Sequence, residues 1–377
     1  MSGLLNELEK IPNPCFVIDE SLFERNMQCL HKLEQCAGVN ILCALKGFAM
    51  WEVFPLAMQY ISGGTASSLN EVKLIADKMN CKAHSCFVVY TEEEFDTVNS
   101  MSSHITFNSL NQYEKFKGRL KENVKYGIRI NPDFSTVEVD YYNPCKPGSR
   151  FGITSDLMGE HLPLGVTGIH FHMLCESSAE DFEQALETIE KQFGYLLHQA
   201  EWVNFGGGHH ITKEAYNIDL LTVLIQRIKQ RYAVEVFLEP GEAIGLNAGY
   251  LISKVEDVVT AHSVHTAILN VSFAAHMPDC LEMPYKPCVI NEESSGTFHY
   301  RLGGNTCMSG DYVEGFTFEK PLRIGDVIVF EDMVHYTFVK TNFFNGVQHP
   351  CLGVWTKECD FKLLKEFVYE DYRDRLS

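Results

Sequence analysis

No stretch of the sequence reaches the ~18 consecutive apolar residues of a membrane helix, so a membrane-spanning role is not expected. Basic residues are in short supply: 31 Lys and Arg stand against 50 Asp and Glu, a formal net charge of −19. That deficit disfavours nucleic acid and anionic membranes as partners and suits a cationic small molecule, although acidity also serves plain solubility. The opening residues, MSGLLNELEKIPNP, have no basic segment leading into an apolar one, and a signal peptide is not expected. Also missing are C-x-x-C pairs and the close cysteine spacing of a small disulfide scaffold. The 13 cysteines are scattered singly, as reduced thiols of a cytoplasmic protein would be. There is no internal repeat or low-complexity segment, and no metal is expected.

What is present is a chain of 377 residues, enough for about two domains. Short β-branched or aromatic runs recur at 40–46, 60–67, 83–90, 104–109, 125–131, 166–174, 202–208 and 233–241. Between them SLNEVKLIADKM, SLNQYEKFKGRL, AEDFEQALETIEKQFGYLLHQ and DLLTVLIQRIKQRY repeat apolar residues at helical steps. Strands alternating with helices imply a parallel sheet, and eight such units close a barrel. The fold class is therefore α/β: a (β/α)8, TIM-like barrel over 20–245, interrupted by a Pro-, Gly- and Asn-rich excursion at 131–165. After Gly245, LISKVEDVVT, HTAILNVSF, FHYRLGG, DVIVFEDMVHYTFV and CLGVWT read as strands of a second, mostly β domain over 246–377. The N-terminal strand CFVID, within 1–19, is expected to join it.

Barrel active sites lie at the carboxyl ends of the strands. Those ends carry Lys46, Ser67, Asn108, Arg129, His172, Gly206-Gly207-Gly208 and Glu239. Each has an ordinary explanation. Lys46, in the apolar run ILCALKGF, either snorkels its amine to water or keeps it desolvated as a nucleophile. Three glycines are either a turn or a backbone cradle for an anion. Glu239 is either a solvated strand end or the partner of a heteroaromatic nitrogen, and His172 either a structural histidine or a ring against a ligand. His170 is read as facing the opposite side of the strand from His172. Taken together, an amine, a phosphate cradle, a stacking ring and an acid for a pyridine nitrogen point to pyridoxal 5'-phosphate.

The motifs resemble a known family, the pyridoxal-phosphate enzymes of the alanine-racemase-like fold, and within it the basic-amino-acid decarboxylases. The resemblance covers nearly the whole chain. ALKGF resembles the strand with the cofactor-bearing lysine, which implies that role for Lys46. GIHFHMLCE places the stacking histidine at His172, FGGGHH the phosphate glycines at Gly207 and Gly208, and EPGEA the pyridinium-binding acid at Glu239. GGNTCMSGD resembles the element that crosses to the partner subunit's site, implying a homodimer with roles there for Cys307 and Asp311. HYT resembles the phosphate-binding tyrosine, Tyr336. Ser67 and Arg129 are further candidates beside the cofactor, with Arg129 close to His172.

Departures from the family pattern bear on the substrate. Members acting on diaminopimelate or ornithine carry arginine after E-P-G, where this chain has Glu242; glutamate repels an anion and fits an ammonium. AHMPDCLEMPY adds Asp279. EPGEA, AHMPD, GGNTC and HYTFVKTNFFNG together resemble the branch acting on carboxylated polyamines, implying that Glu242 and Asp279 bind substrate amines and that Cys307 returns a proton after CO2 leaves. The roles of Asn108 and Arg150 stay open. Alternatives are a diaminopimelate- or ornithine-type decarboxylase, against which Glu242 counts, a racemase, against which Glu239 counts, and a non-catalytic partner-binding relative, against which Lys46 and Cys307 count.

Overall fold

The structure, a computed structural model, describes residues 3–377 apart from residue 138. Expectations for residues 1 and 2, and for 138 within the excursion, lie outside the described residues. The chain divides into two compact units, Asn26–Ile244 and Met1–Arg25 with Gly245–Ser377.

After strand β1 (Cys15–Asp19) come β2 (Asn40–Ala44), β3 (Gly63–Ala66), β4 (Ala83–Cys86), β5 (Ser102–Phe107), β6 (Lys125–Arg129), β7 (Val166–His170), β8 (Trp202–Asn204) and β9 (Glu235–Leu238). The eight strands β2 to β9 form a closed barrel, every neighbouring pair parallel, with β9 returning to β2. The expected barrel is therefore the observed one. Each expected segment ran past its strand on the carboxyl side, because the chemically useful residues sit where the ladder has ended.

The intervening helices start where the sequence supplies a cap. Ser68, Thr91, Ser109, Ser178 and Asn217 each accept a hydrogen bond from the backbone N–H three residues on, at about 1 kcal/mol apiece. Behind its cap the helix Ala179–Leu197 buries Phe182, Leu186, Ile189, Phe193 and Leu197, the apolar stripe of an amphipathic helix on a barrel.

The barrel floor is filled by Trp202, Leu42 and Phe237, joined by His84 and His104, whose rings stack at 3.9 Å. Burial pushes these imidazoles down, His84 to about 4 and His104 to about 2, so both are neutral filler at pH 7. The Trp202 indole has room because β6 and β7 present glycine to it: a Cβ at Gly127 or Gly168 would fall within its ring. We expect Gly168→Ala to destabilise the barrel by about 3 kcal/mol through overpacking, read as a lower urea midpoint. An unchanged midpoint would mean that the indole can move aside.

In the other unit β1 pairs antiparallel with β10 (Gly249–Ala261) and parallel with β15 (Cys351–Trp355). The sheet is completed by β11 (Val264–Leu269), β12 (Phe298–Gly303), β13 (Tyr312–Phe318), β14 (Val327–Glu331) and β16 (Phe361–Lys365). Phe16, Leu251, Leu302, Phe316 and Phe330 lie in its core. One expectation is corrected here: DVIVFEDMVHYTFV is not a single strand. β14 stops at Glu331, Asp332 takes a left-handed φ of 61°, and Tyr336–Val339 forms a helical turn. Among the described residues no helix is long and apolar enough to cross a membrane.

Candidate active site

Two short turns at the carboxyl edge of the barrel are laced together. The N–H of Ala44 donates to the carbonyl of Pro240 (3.0 Å), and that of Leu45 to Thr65 (3.2 Å). Gly47 lies against the backbone of Gly241, too close for a Cβ. This fixes the turn bearing Lys46 relative to the turn bearing Glu239. Lys46 follows buried Ala44 and Leu45, yet its own side chain is exposed. An exposed lysine among buried Arg129, Glu239 and Phe48 implies open space at the barrel mouth.

The Lys46 amine stands 3.5 Å from Nε2 of His172. His172 Nδ1 accepts a hydrogen bond from the N–H of Gly207 (3.0 Å). That bond leaves Nδ1 unprotonated, so the proton of the neutral ring sits on Nε2, the nitrogen that faces Lys46. Electrostatics agree. The surrounding protein, and then the Arg129 guanidinium, hold the Lys46 amine below its ordinary value, while Glu239 opposes them. Burial, Lys46 and Arg129 hold His172 well below the imidazole range. An amine held below its ordinary value beside a neutral imidazole is suited to act as a nucleophile. Arg129 is itself buried, 4.4 Å above the ring of Phe151, and Arg150 lies 4.4 Å from the same ring.

Glu239 has its carboxylate in a set of donors. Asn204 Nδ2 donates to Oε1 (2.7 Å), and His170 Nε2 lies 3.2 Å from Oε2. Burial alone would raise its pKa, but His170, the hydroxyl of Thr65 and Lys46 outweigh burial and bring it to about 2. The expectation that His170 turns away from His172 is overturned. Residues two apart in a strand share a face, and His170, the last residue of β7, points inward onto Glu239. Its other nitrogen, Nδ1, meets Cys86 Sγ at 3.7 Å. Cys86, Asn204, Thr65 and His170 were therefore missed as neighbours of the acid, although period-two reading of GIHFH should have brought His170 in.

The glycine run is a cradle that tolerates no side chain. Gly206 and Gly208 have φ of 70° and 87°, and a Cβ on Gly207 or Gly208 would strike the carbonyl of Glu239 or Leu174. Beyond it His210 Nε2 lies 3.2 Å from Glu242 Oε2. Ligand atoms of Glu176, His210 and Glu242 lie within 4.8 Å of one another. Glu176, in an exposed left-handed position with φ of 49°, was not foreseen.

The remaining candidates have separate surroundings. Ser67 is exposed, and its N–H donates to Glu71 Oε2 (2.6 Å). Asn108 holds the excursion, donating to the carbonyl of Arg150 (2.9 Å) and accepting from the N–H of Gly152 (3.0 Å). Cys307, Asp311, Asp279 and Tyr336 belong to the sheet unit. Asp311 is buried, its oxygens accepting from Ser272 Oγ, the N–H of Ala274 and both N–H and Oγ1 of Thr306. It thereby anchors the exposed loop of Cys307, whose N–H donates to Asn345 (2.8 Å). Asp279 is ion-paired with Lys340, which also reaches Glu282 at 2.7 Å. Tyr336 is half-buried and opens a helical turn.

The barrel residues fit a phosphorylated aromatic aldehyde: an open amine held below its ordinary value, a ring beside it, a fixed carboxylate, and amides that a Cβ would block. Comparison with known proteins leads the same way. Residues 15–334 match the family described as "Pyridoxal-dependent decarboxylase, C-terminal sheet domain". The chain is 43% identical to a carboxyaminopropylagmatine decarboxylase of Synechocystis sp., over 98% of this chain and 97% of that protein. It is 38% identical to a carboxynorspermidine/carboxyspermidine decarboxylase of Campylobacter jejuni, over 97% of this chain and 98% of that one. A crystal structure of carboxynorspermidine decarboxylase from Campylobacter jejuni, complexed with norspermidine, superposes with a TM-score of 0.90 at 36% identity, covering 97% of this chain and 100% of that chain.

Proposed function

The chain belongs to the pyridoxal-dependent decarboxylases, in the branch with the carboxynorspermidine/carboxyspermidine decarboxylases, and is a carboxy-lyase; from that premise we propose that it binds pyridoxal phosphate and decarboxylates carboxynorspermidine or carboxyspermidine in polyamine biosynthesis. The observation that carries the reading is the Lys46 amine beside His172, held below its ordinary value, with Glu239 held as a carboxylate in the same barrel mouth.

When bound, the cofactor supplies an electron-poor ring that takes up the electron pair left by departing CO2. Lys46 would hold it covalently, Glu239 would face its ring nitrogen, His172 its face, and Gly207 and Gly208 its phosphate; the phosphate role of Tyr336 follows from its HYT motif. Ser67 and Arg129 would line the same cavity. The substrate carboxylate must be oriented without being stabilised too well, and the acidic mouth around Glu176 and Glu242 discourages such stabilisation. Those same two acids, converging within 4.8 Å with His210, would hold the substrate's distal ammonium. Asp279 would take part as a pair with Lys340 rather than as a free anion.

We further propose a cytoplasmic homodimer. Thirteen cysteines, none in a disulfide, suit a reducing compartment. The anchored but exposed loop of Cys307, which would deliver the returning proton, suits a site completed by a second copy. The 43% identity to a carboxyaminopropylagmatine decarboxylase favours a second reading, a substrate ending in guanidinium, because a pair of carboxylates can bind that planar fork bidentately.

The test is CO2 release from carboxynorspermidine, carboxyspermidine, carboxyaminopropylagmatine, ornithine and diaminopimelate, offered side by side. A carboxy-polyamine should lead. Glu242→Arg should lower kcat/KM for it by about 100-fold, since a cation replaces the anion that binds one. A substrate profile unchanged by that substitution would remove Glu242 from the site.

A further inference from the structure

Three strands that are not neighbours in the barrel bring an acid, an imidazole and a thiol into one line. Glu239 follows β9, His170 ends β7 and Cys86 ends β4. His170 spans the other two, Nε2 to Glu239 Oε2 at 3.2 Å and Nδ1 to Cys86 Sγ at 3.7 Å. The imidazole is almost wholly buried. An ionised carboxylate can only accept, so the Nε2 proton is fixed. The remaining freedom lies at Nδ1, which either accepts from the thiol or donates to the thiolate. Moving that single proton between sulfur and nitrogen changes the charge on His170 without breaking either contact.

We propose that His170 is a positioning residue of the site: it clamps Glu239 as a carboxylate, and Cys86, acting through it, sets the charge that Glu239 meets from behind. The inference rests on Glu239 being the partner of the cofactor's ring nitrogen. In the charge-separated form the line alternates in sign, thiolate, imidazolium, carboxylate, and leaves Glu239 to face one more cation. The local fields support this form. Burial opposes ionisation of all three groups and is outweighed each time. His170 and Arg129 bring the Cys86 thiol below its ordinary value. Cys86 and Glu239 raise His170 to about 9. The other titratable groups around the line are His84, neutral through burial, His172, likewise neutral, the Tyr90 phenol, which burial keeps protonated, the Lys46 amine, held below its ordinary value, and the Arg129 guanidinium.

Two arms test the relay on the full-length chain. In cofactor-free protein, alkylation of Cys86 by iodoacetamide is followed by peptide mass spectrometry from about pH 5 to 10. Wild-type Cys86 should show its inflection below an ordinary thiol, and His170→Gln should slow labelling at pH 7 by about tenfold. In the cofactor-loaded enzyme, His170→Gln and Cys86→Ser should shift the pH profile of the cofactor's absorbance and lower kcat by about tenfold with KM little changed, His170→Leu being worse than His170→Gln because glutamine still donates to Glu239. If His170→Gln does not fold, the wild-type inflection and Cys86→Ser decide. An ordinary thiol inflection, or absorbance and labelling profiles indifferent to these substitutions, overturns the relay. Labelling that depends on His170 in a chain that takes up no pyridoxal phosphate would instead overturn the proposed function.

Discussion

Replacing Lys46 with alanine is expected to lower kcat about 10⁴-fold or more while leaving the fold intact. The amine is the reacting group we propose, and no neighbour can stand in: Arg129 remains a cation, and His172 spends Nδ1 on the amide of Gly207. Lys46→Arg should fail as completely, because a guanidinium keeps its proton. The stability effect has the opposite sign. A lysine whose folded pKa is depressed binds fewer protons folded than unfolded, and so destabilises the folded chain at neutral pH, below its unfolded value of 10.5. Lys46→Ala should therefore raise the urea midpoint of the cofactor-free chain slightly. Borohydride treatment of the loaded wild type should leave the cofactor's mass on the peptide containing Lys46, and on no peptide of the variant. Activity within tenfold of wild type, or an adduct on another lysine, would remove Lys46 from its role.

The residues proposed for this chemistry were unequally visible in the amino-acid order. Lys46, His172 and Glu239 stand out because a charged or polar side chain closing an apolar run is conspicuous, and eight such runs with helices between them allow little besides a barrel. Proximity across the barrel is another matter. Cys86 and His170 come from β4 and β7, which do not pair, so only closure of the barrel brings the thiol to the imidazole. Glu176 owes its place to a left-handed turn after His172 that carries no glycine to announce it. In the sheet unit, β13 and β16 were not anticipated. FKLLK is largely exposed and YVEGFTF mixes two buried phenylalanines with exposed Glu314 and Gly315, so neither stands out as an apolar run, and strands at a sheet's ends carry such charge to discourage pairing with other chains. HYTFV has strand-like composition yet turns helical, because the backbone reverses at Asp332, whose Oδ1 receives the N–H of Asn247; a composition reading has no access to that contact.

Glu239→Gln should separate holding the cofactor from using it. The amide is nearly the same shape, and its environment can accommodate it. Asn204 Nδ2 can still donate to the remaining oxygen, while the new NH2 points at His170, which can move its proton to Nδ1 and accept at Nε2. Borohydride should thus still fix the cofactor on Lys46. What disappears is the fixed negative charge that we propose faces the ring nitrogen, and loss of one such preorganised electrostatic partner is worth about 10²–10³-fold in kcat. The acid limb of stability should change with it. Glu239 is lowered from 4.5 to about 2, so its contribution is present above about pH 4.5 and is lost as pH falls through about 2. The wild-type chain should lose denaturation midpoint across that window more steeply than Glu239→Gln. A variant that keeps wild-type kcat would show that the carboxylate does not serve the ring, one that unfolds with the wild-type acid profile would show that it does not serve the fold, and with both results the donors gathered around it by β3, β7 and β8 would need another purpose.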